Sequence, residues 1–531
     1  MKRIFTQISL VVILLSSCSP TKEPRSTALT INICSDPQSL DPRMARDLNA
    51  VTLVHMLFEG LMRISKTGEA EFALAHSVDI SEDSTRFVFH LRESLWSNTD
   101  PVTSYDFANS WRSSLSPQFG TDLAYQLYPI KGAQQAKKGE IGTDAVGIYT
   151  PDPQTLVVEL ETATPYFLEL LTLPIFFPVH SSALTNPHWF LKKETHIANG
   201  PFCLDAWTHS DQISVVKNSN YWEAEQVALP RIDMVMLTAD TELRLFEEKG
   251  LHWAGSPLST LPIDTVQAFK NSGALHVSPL SGTYFLRVNT EISSENPLSH
   301  PEFRRGLAMA IDRNEIAEHI LQGGQKPALE LVPPEMGLAP SPLQEGNVEE
   351  ARSLCNRVLS QRAFNSPIIL SYSSATDRNA TIAQAIQKQW EDHLGLQVVL
   401  EGIEPKVYYQ RISQKKFQLA AGSWIADFND PINFLETFKY KHGSTNNTGW
   451  EDPKYVDLLN RSALCKESNE RKGLLSEAEA ILLEQMPIIP IFHFALNYLQ
   501  KDEIKDVVIS PLGQVDFRWA HFESSEPRVI Q

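Results

Sequence analysis

The chain has 531 residues, and its 46 Lys plus Arg stand against 64 Asp plus Glu, a formal net charge of −18. No basic cluster offsets that balance, which argues against nucleic acid or an anionic lipid surface as partner. The length exceeds what one compact core holds, so at least two lobes are expected.

Lys2 and Arg3 precede an apolar run from Ile4 to Leu15, too short for a permanent membrane span, and Leu15-Ser16-Ser17-Cys18 follows. This order predicts a signal peptide over 1–17. Small residues before a cysteine resemble the bacterial lipoprotein box, which implies cleavage before Cys18, lipidation of its thiol and residence on the outer side of a cytoplasmic membrane. Ordinary cleavage leaving a free cysteine is the alternative. Residues 18–28, polar and proline-bearing, read as a flexible tether. No later run approaches a membrane span. Cys34, Cys203, Cys355 and Cys465 are widely spaced without any Cys-x-x-Cys, so three full pairings and free thiols all stay open.

Residues 29–34 alternate apolar and polar and read as a first strand, followed by a helical stripe of Leu53, Leu57, Phe58 and Leu61. Residues 85–91 and 154–160 alternate again. Between them a helix opens on Thr103-Ser104-Tyr105-Asp106, a capping-box pattern. Strands and helices mixed in this way predict an α+β lobe. Strand-like pieces recur at 203–207, 213–217 and 232–237. A helix starts at Pro301, and another at Asn347 with Glu350 three residues on. Strand 367–372, a helix with Ile382, Ile386, Trp390 and Leu394 on one side closed by Gly395, and strand 396–400 form a β-α-β pattern with a parallel sheet.

A further helix and the apolar run 417–421 lead to Gly422-Ser423-Trp424-Ile425-Ala426-Asp427-Phe428-Asn429-Asp430-Pro431. Asp427 stands among Trp424, Ile425 and Phe428, just past the carboxyl end of a strand, where open α/β sheets place ligands. Desolvating a carboxylate costs several kcal/mol unless it is paired, so the position suits a ligand ammonium arriving from solvent. The plainer alternative is a turn-capping aspartate. Asp430-Pro431 reads as an N-cap followed by proline at the first helical position.

Several blocks carry a family resemblance. They are Leu57-Phe58-Glu59-Gly60-Leu61, then Phe72 to Ser77 through Phe87 to Arg92, Leu95-Trp96-Ser97 and Pro101 to Phe107. Asn199-Gly200-Pro201-Phe202 and Gly306 to Arg313 follow in the same order. They resemble the extracytoplasmic peptide-binding proteins of ABC transporters, and Ala426 to Pro431 is similar to the oligopeptide branch's Ala-Asp-Tyr-Asn-Glu-Pro. The match runs from about residue 29 to 525. It implies an α/β, periplasmic-binding-protein-like (class II) clamshell: two mixed-sheet lobes plus an extra α+β domain. The expected division is domain I over 29–58, 186–281 and 496–531, domain II over 59–185 and domain III over 282–495.

The resemblance further implies that Asp427 receives a peptide's α-ammonium. Ser423, Trp424 and Ile425 offer backbone groups to the peptide as an added strand. Tyr284, Tyr125 and Asn447 match positions that line the family's site, with core or loop packing as the alternative for each. Where the oligopeptide branch carries cations for the peptide's C-terminal carboxylate, this chain has Ala308, Asn379 and Ala421. Arg378 lies beside one of these. An acidic lining residue is replaced by Arg46, flanked by Asp47 and Leu48. A narrower ligand, such as a modified or cell-wall-derived peptide or a metal chelate, is therefore an alternative, as is an adhesin on the same fold.

The expected partners are a peptide, the permease subunits of the transporter and, through Cys18, a membrane. The chain is expected to be a monomer without cofactor or bond chemistry. Ser214-x-x-Lys217, Lys66-Thr67-Gly68 and Ser294-x-Asn296 imitate the penicillin-binding trio, but their order is wrong and Ser214 reads as strand. The fifteen histidines include no pair closer than eight residues, so no compact local metal site is predicted.

Overall fold

The computed structural model describes residues 28–340, 343, 347–361, 364 and 366–523. The signal peptide, Cys18 and nearly all of the tether lie outside these residues.

The first strand, Ala28–Asn32, pairs in parallel with Arg231–Val235, and the antiparallel strands Gln212–Lys217 and Phe202–Thr208 complete a four-stranded sheet. A second four-stranded sheet is antiparallel, ordered Ala75–Ile80, Arg86–Leu91, Thr155–Glu159 and Ile148–Asp152. Its alternation sends Phe87, Phe89 and Leu91 inward. The helix Ser104–Leu115 packs on it. There the Thr103 amide donates to the Asp106 carboxylate at 2.8 Å, which satisfies a group the helix start would leave bare. One continuous core joins these two sheets.

The third sheet is mixed, in the order Trp253–Gly255, Ile488–Gln500, His276–Val288, Leu419–Ile425, Ile368–Ser373 and Val398–Ile403, with Lys326–Pro327 beside Ile488–Gln500. Successive residues of one strand go to opposite faces, so Tyr284, Leu286 and Val288 enter one core while Phe285 enters another. The predicted β-α-β unit is present and parallel, its helix Asp377–Leu394 ending on Gly395 at φ 67°. Its second strand lies two residues later than the apolar run suggests. It forms an edge of the sheet, which leaves Val399 exposed. The strands His276–Val288 and Ile488–Gln500 each have 13 residues and run without a break through positions 282 and 495.

The end of the helix Leu48–Leu57 is held by a buried ion-pair network. Glu59 accepts from Arg518 at 2.6 Å and from the Tyr221 hydroxyl at 2.9 Å, with Arg63 alongside. These bonds tie the C-terminal segment to the helix that walls the site. The same corner buries His196 between Phe58 and Trp189, centroids 5.4 and 5.3 Å away, and neither ring nitrogen has a hydrogen-bond partner among the described residues.

Burial pushes the His196 pKa down to about 4. The folded value lies below the unfolded one, so the unfolded chain takes up the proton first, and stability is lost as pH falls from about 6.5 to about 4, by up to about 3 kcal/mol. Urea unfolding of His196→Phe across this window is expected to show a pH slope smaller by about one proton than the parent's.

Candidate functional site

The site is built on the strand Leu419–Ile425. Along one edge it pairs with His276–Val288 from Leu419 to Ile425. Along the other it meets Ile368–Ser373 only at Leu419 and Ala420. Ala426 N–H donates to Ser281 C=O at 2.8 Å, which sets the phase of the ladder. Trp424 and Gly422 therefore turn their backbone groups toward His276–Val288, while those of Ile425, Ser423 and Ala421 turn away from it. The Ala421 carbonyl accepts from the Tyr408 hydroxyl and from Arg287. Beyond it, at Ser423 and Ile425, no strand among the described residues fills the edge.

Side chains alternate as the backbone does. Ser423 and Ile425 are exposed, whereas Trp424 is half-buried against the core that holds Phe285. The Trp424 indole N–H donates to Asn433 Oδ1 at 2.8 Å, and the Asp427 amide donates to the same oxygen at 3.3 Å. Asn433 thus fixes the turn that follows the strand.

Asp427 is half-buried. Its carboxyl pKa is pushed up by burial, an effect partly offset by the Tyr125 hydroxyl that faces it. No Lys, Arg or His among the described residues lies within ion-pair distance of it. Burial, and then the charge of Asp427, push the Tyr125 phenol up to about 12. A cavity of about 360 Å³ opens here, lined by Arg46, Leu48, Tyr125, Pro174, Ile425 and Asp427 among others. Arg46 pairs with Asp122 at 2.9 Å, but both are largely exposed, so that pair holds weakly.

The remaining predicted residues lie elsewhere. Tyr284 is opposite Ser423 in the adjacent strand but buried, stacked on Phe492 at 4.8 Å. Asn447 bonds within its own loop, to Thr445 C=O at 3.2 Å; its neighbour Asn446 is the buried anchor, donating to the carbonyls of Phe438, Tyr440 and Trp450. Arg378 is exposed on the first turn of its helix and does not line the cavity.

Asp430 accepts from the Ile432 amide as a cap does, one position off the predicted register, and also grips Arg471 through two bonds at 2.7 and 2.9 Å. Phe428 stacks on Tyr166 at 5.0 Å and Asn429 donates to Gly68 C=O, so the turn after the acid touches the segment 59–185.

Sequence reading missed Arg287, Tyr408 and Asn433. An arginine between Leu286 and Val288 in an otherwise apolar run was the available signal for the first. Among the described residues the four cysteines are free, no cluster suits a metal, and no helix is long and apolar enough to cross a membrane.

Fold and cavity together define a solute-binding protein of the clamshell class. The chain belongs to the bacterial extracellular solute-binding proteins, family 5, whose middle-region model matches residues 69–446. It is 38% identical over 510 residues to the oligopeptide-binding protein OppA of Bacillus subtilis (strain 168), covering 94% of this chain and 93% of that one. It is similar in structure to the unliganded open form of the periplasmic murein tripeptide binding protein MppA, with a TM-score of 0.83 and 26% identity over 94% of this chain and 98% of that one. The peptide-bound OppA of Listeria monocytogenes gives a TM-score of 0.73 and 26% identity over 94% and 100%.

Asn433→Ala strips a partner from both the Trp424 indole and the Asp427 amide. Urea unfolding is expected to report a loss of about 1–3 kcal/mol, the scale of buried donors left bare.

Proposed function

We propose that the protein captures peptides outside the cytoplasmic membrane, in a cleft that closes over them, and delivers them to the permease of an ABC transporter. The observation that carries this reading is a half-buried carboxylate without a cation, Asp427, at the end of an unfilled strand edge. Leaving such a charge unpaired costs several kcal/mol, and a peptide's α-ammonium offsets that cost on arrival. Main-chain pairing along Ser423 and Ile425 binds a peptide whatever its side chains are. Relatives named for oligopeptide binding support the same substrate class.

Arg46, Leu48 and Tyr125 wall the cavity around the ammonium site. Trp424 acts from behind the strand, holding its phase through Asn433, and the buried Tyr284, opposite Ser423, supports the adjacent strand by stacking on Phe492. Domain III, residues 282–495, closes against domains I and II. The greater likeness to an open unliganded relative than to a peptide-bound one supports reading the present arrangement as the open one. The closed form is what the permease prefers, so ligand binding energy selects the conformation that is passed on. The protein performs no bond chemistry, acts as a monomer and is tethered through a lipid on Cys18.

Asp427→Asn is expected to weaken peptide binding by roughly 3 kcal/mol, about a hundredfold in Kd by calorimetry. N-acetylated peptides should bind the parent protein with a comparable loss. Equal affinity for free and N-acetylated peptides overturns the ammonium anchor.

A further inference from the structure

Arg287 lies where a charge is not expected. It stands in the strand His276–Val288 between Leu286 and Val288, which both point into the core of the sheet's other face. Its guanidinium lies 5.0 Å from the centre of the Phe285 ring and crosses the neighbouring strand at Gly422. A Cβ at Gly422 would overlap Nη1 and crowd the rest of the group, so the absence of a side chain there makes the crossing available. Nη1 donates to the Ala421 carbonyl at 3.2 Å, an oxygen that faces the unfilled edge.

No Asp or Glu among the described residues lies within ion-pair distance of Arg287, which is half-buried, spends one donor on the Ala421 carbonyl and keeps the others within reach of solvent. Burial pushes its pKa down, against the pull of the phenols of Tyr408, Tyr409 and Tyr284 around it. A guanidinium carries five N–H groups and matches a carboxylate with two parallel bonds. Half-buried among aromatic rings without an anion, it is left partly desolvated and unpaired, as Asp427 is without a cation.

The two charges mark the two ends of one unfilled edge. Tyr408 closes that edge at Ala421. From Ile425 to Gly422 the strand advances about 10 Å, at about 3.4 Å per residue, and Asp427 lies two residues further on. A peptide held by its ammonium at Asp427 and laid along Ser423 and Ile425 therefore brings its other end to Arg287 after about three to five residues.

We propose that Arg287, reaching across Gly422, receives the carboxylate of a short peptide and so sets the length and terminal chemistry this receptor prefers. The inference rests on the reading of Asp427 as the ammonium anchor. It gives this chain a carboxylate site on a different element from the helical Ala308 and Asn379 and from Ala421 on the neighbouring strand, the positions that carry no charge.

Calorimetry on the purified, ligand-stripped chain with tri-, tetra- and pentaalanine, as free acids and as C-terminal amides, tests it. Amidation is expected to weaken the best-fitting length about 10- to 100-fold, the scale of a charge-assisted pair. Arg287→Met should bring the free acid down to the level of the amide and leave the amide's affinity unchanged. Gly422→Ala, which keeps the charge but fills the space it crosses, should do the same, and it decides the matter where Arg287→Met fails to fold. A peptide amide ending in glutamate that regains the affinity supports Arg287 as a carboxylate site filled from a side chain. Equal affinity of acids and amides at every length overturns the role of Arg287 while leaving peptide capture standing. Failure of all the peptides to bind overturns peptide capture and this proposal together.

Discussion

The arrangement of the site depends on a strand with one edge paired and the other, over its last residues, bare. Unpaired backbone groups at a sheet edge invite any extended chain to add itself, and proteins restrict such edges closely. Here the restriction is geometric. Leu419–Ile425 is paired along its whole length with His276–Val288 but with Ile368–Ser373 only at its first two residues. The bare stretch is closed by Tyr408 at one end and by the turn to Asp427 at the other. The exposed length suits a short segment and leaves little room for edge-to-edge association of whole sheets.

Charges in the interior fall into two sets. Glu59 with Arg518 and Arg63, and Asp430 with Arg471, are enclosed pairs in which each charge meets its opposite with good geometry, and they fix segments far apart in sequence. Asp427 and Arg287 are only half-buried and meet no opposite charge among the described residues. Removing one member of the first set leaves a stranded ion and destabilises the fold. The second set is stranded already, so the fold bears its cost until something from outside relieves it. This contrast separates charges that hold the fold from those on which the proposed peptide site rests, without reference to any relative.

Much of this was legible along the chain. The capped helix at Ser104, the β-α-β unit and its closing glycine, and an acid set among aromatic residues just past a strand are local patterns, and local patterns survive in sequence. The outcome at single positions depended on partners hundreds of residues away. Asp430 looked like a simple cap because nothing near it announces Arg471. Asn447 and Asn446 are indistinguishable in a run of polar residues, and only the fold assigns the anchoring bonds to the latter. The strand through Trp424 was expected to stop at residue 421. It continues because an antiparallel neighbour supports it after its apolar character ends.

Gly422 bears on how such a receptor changes over generations. A side chain at this position would leave the ladder of strands unharmed but would evict the guanidinium that crosses it. In a lineage of related chains, then, an arginine at position 287 confers nothing until position 422 has become glycine. The two substitutions are therefore ordered by space alone: the glycine has to be in place before the arginine can take this path.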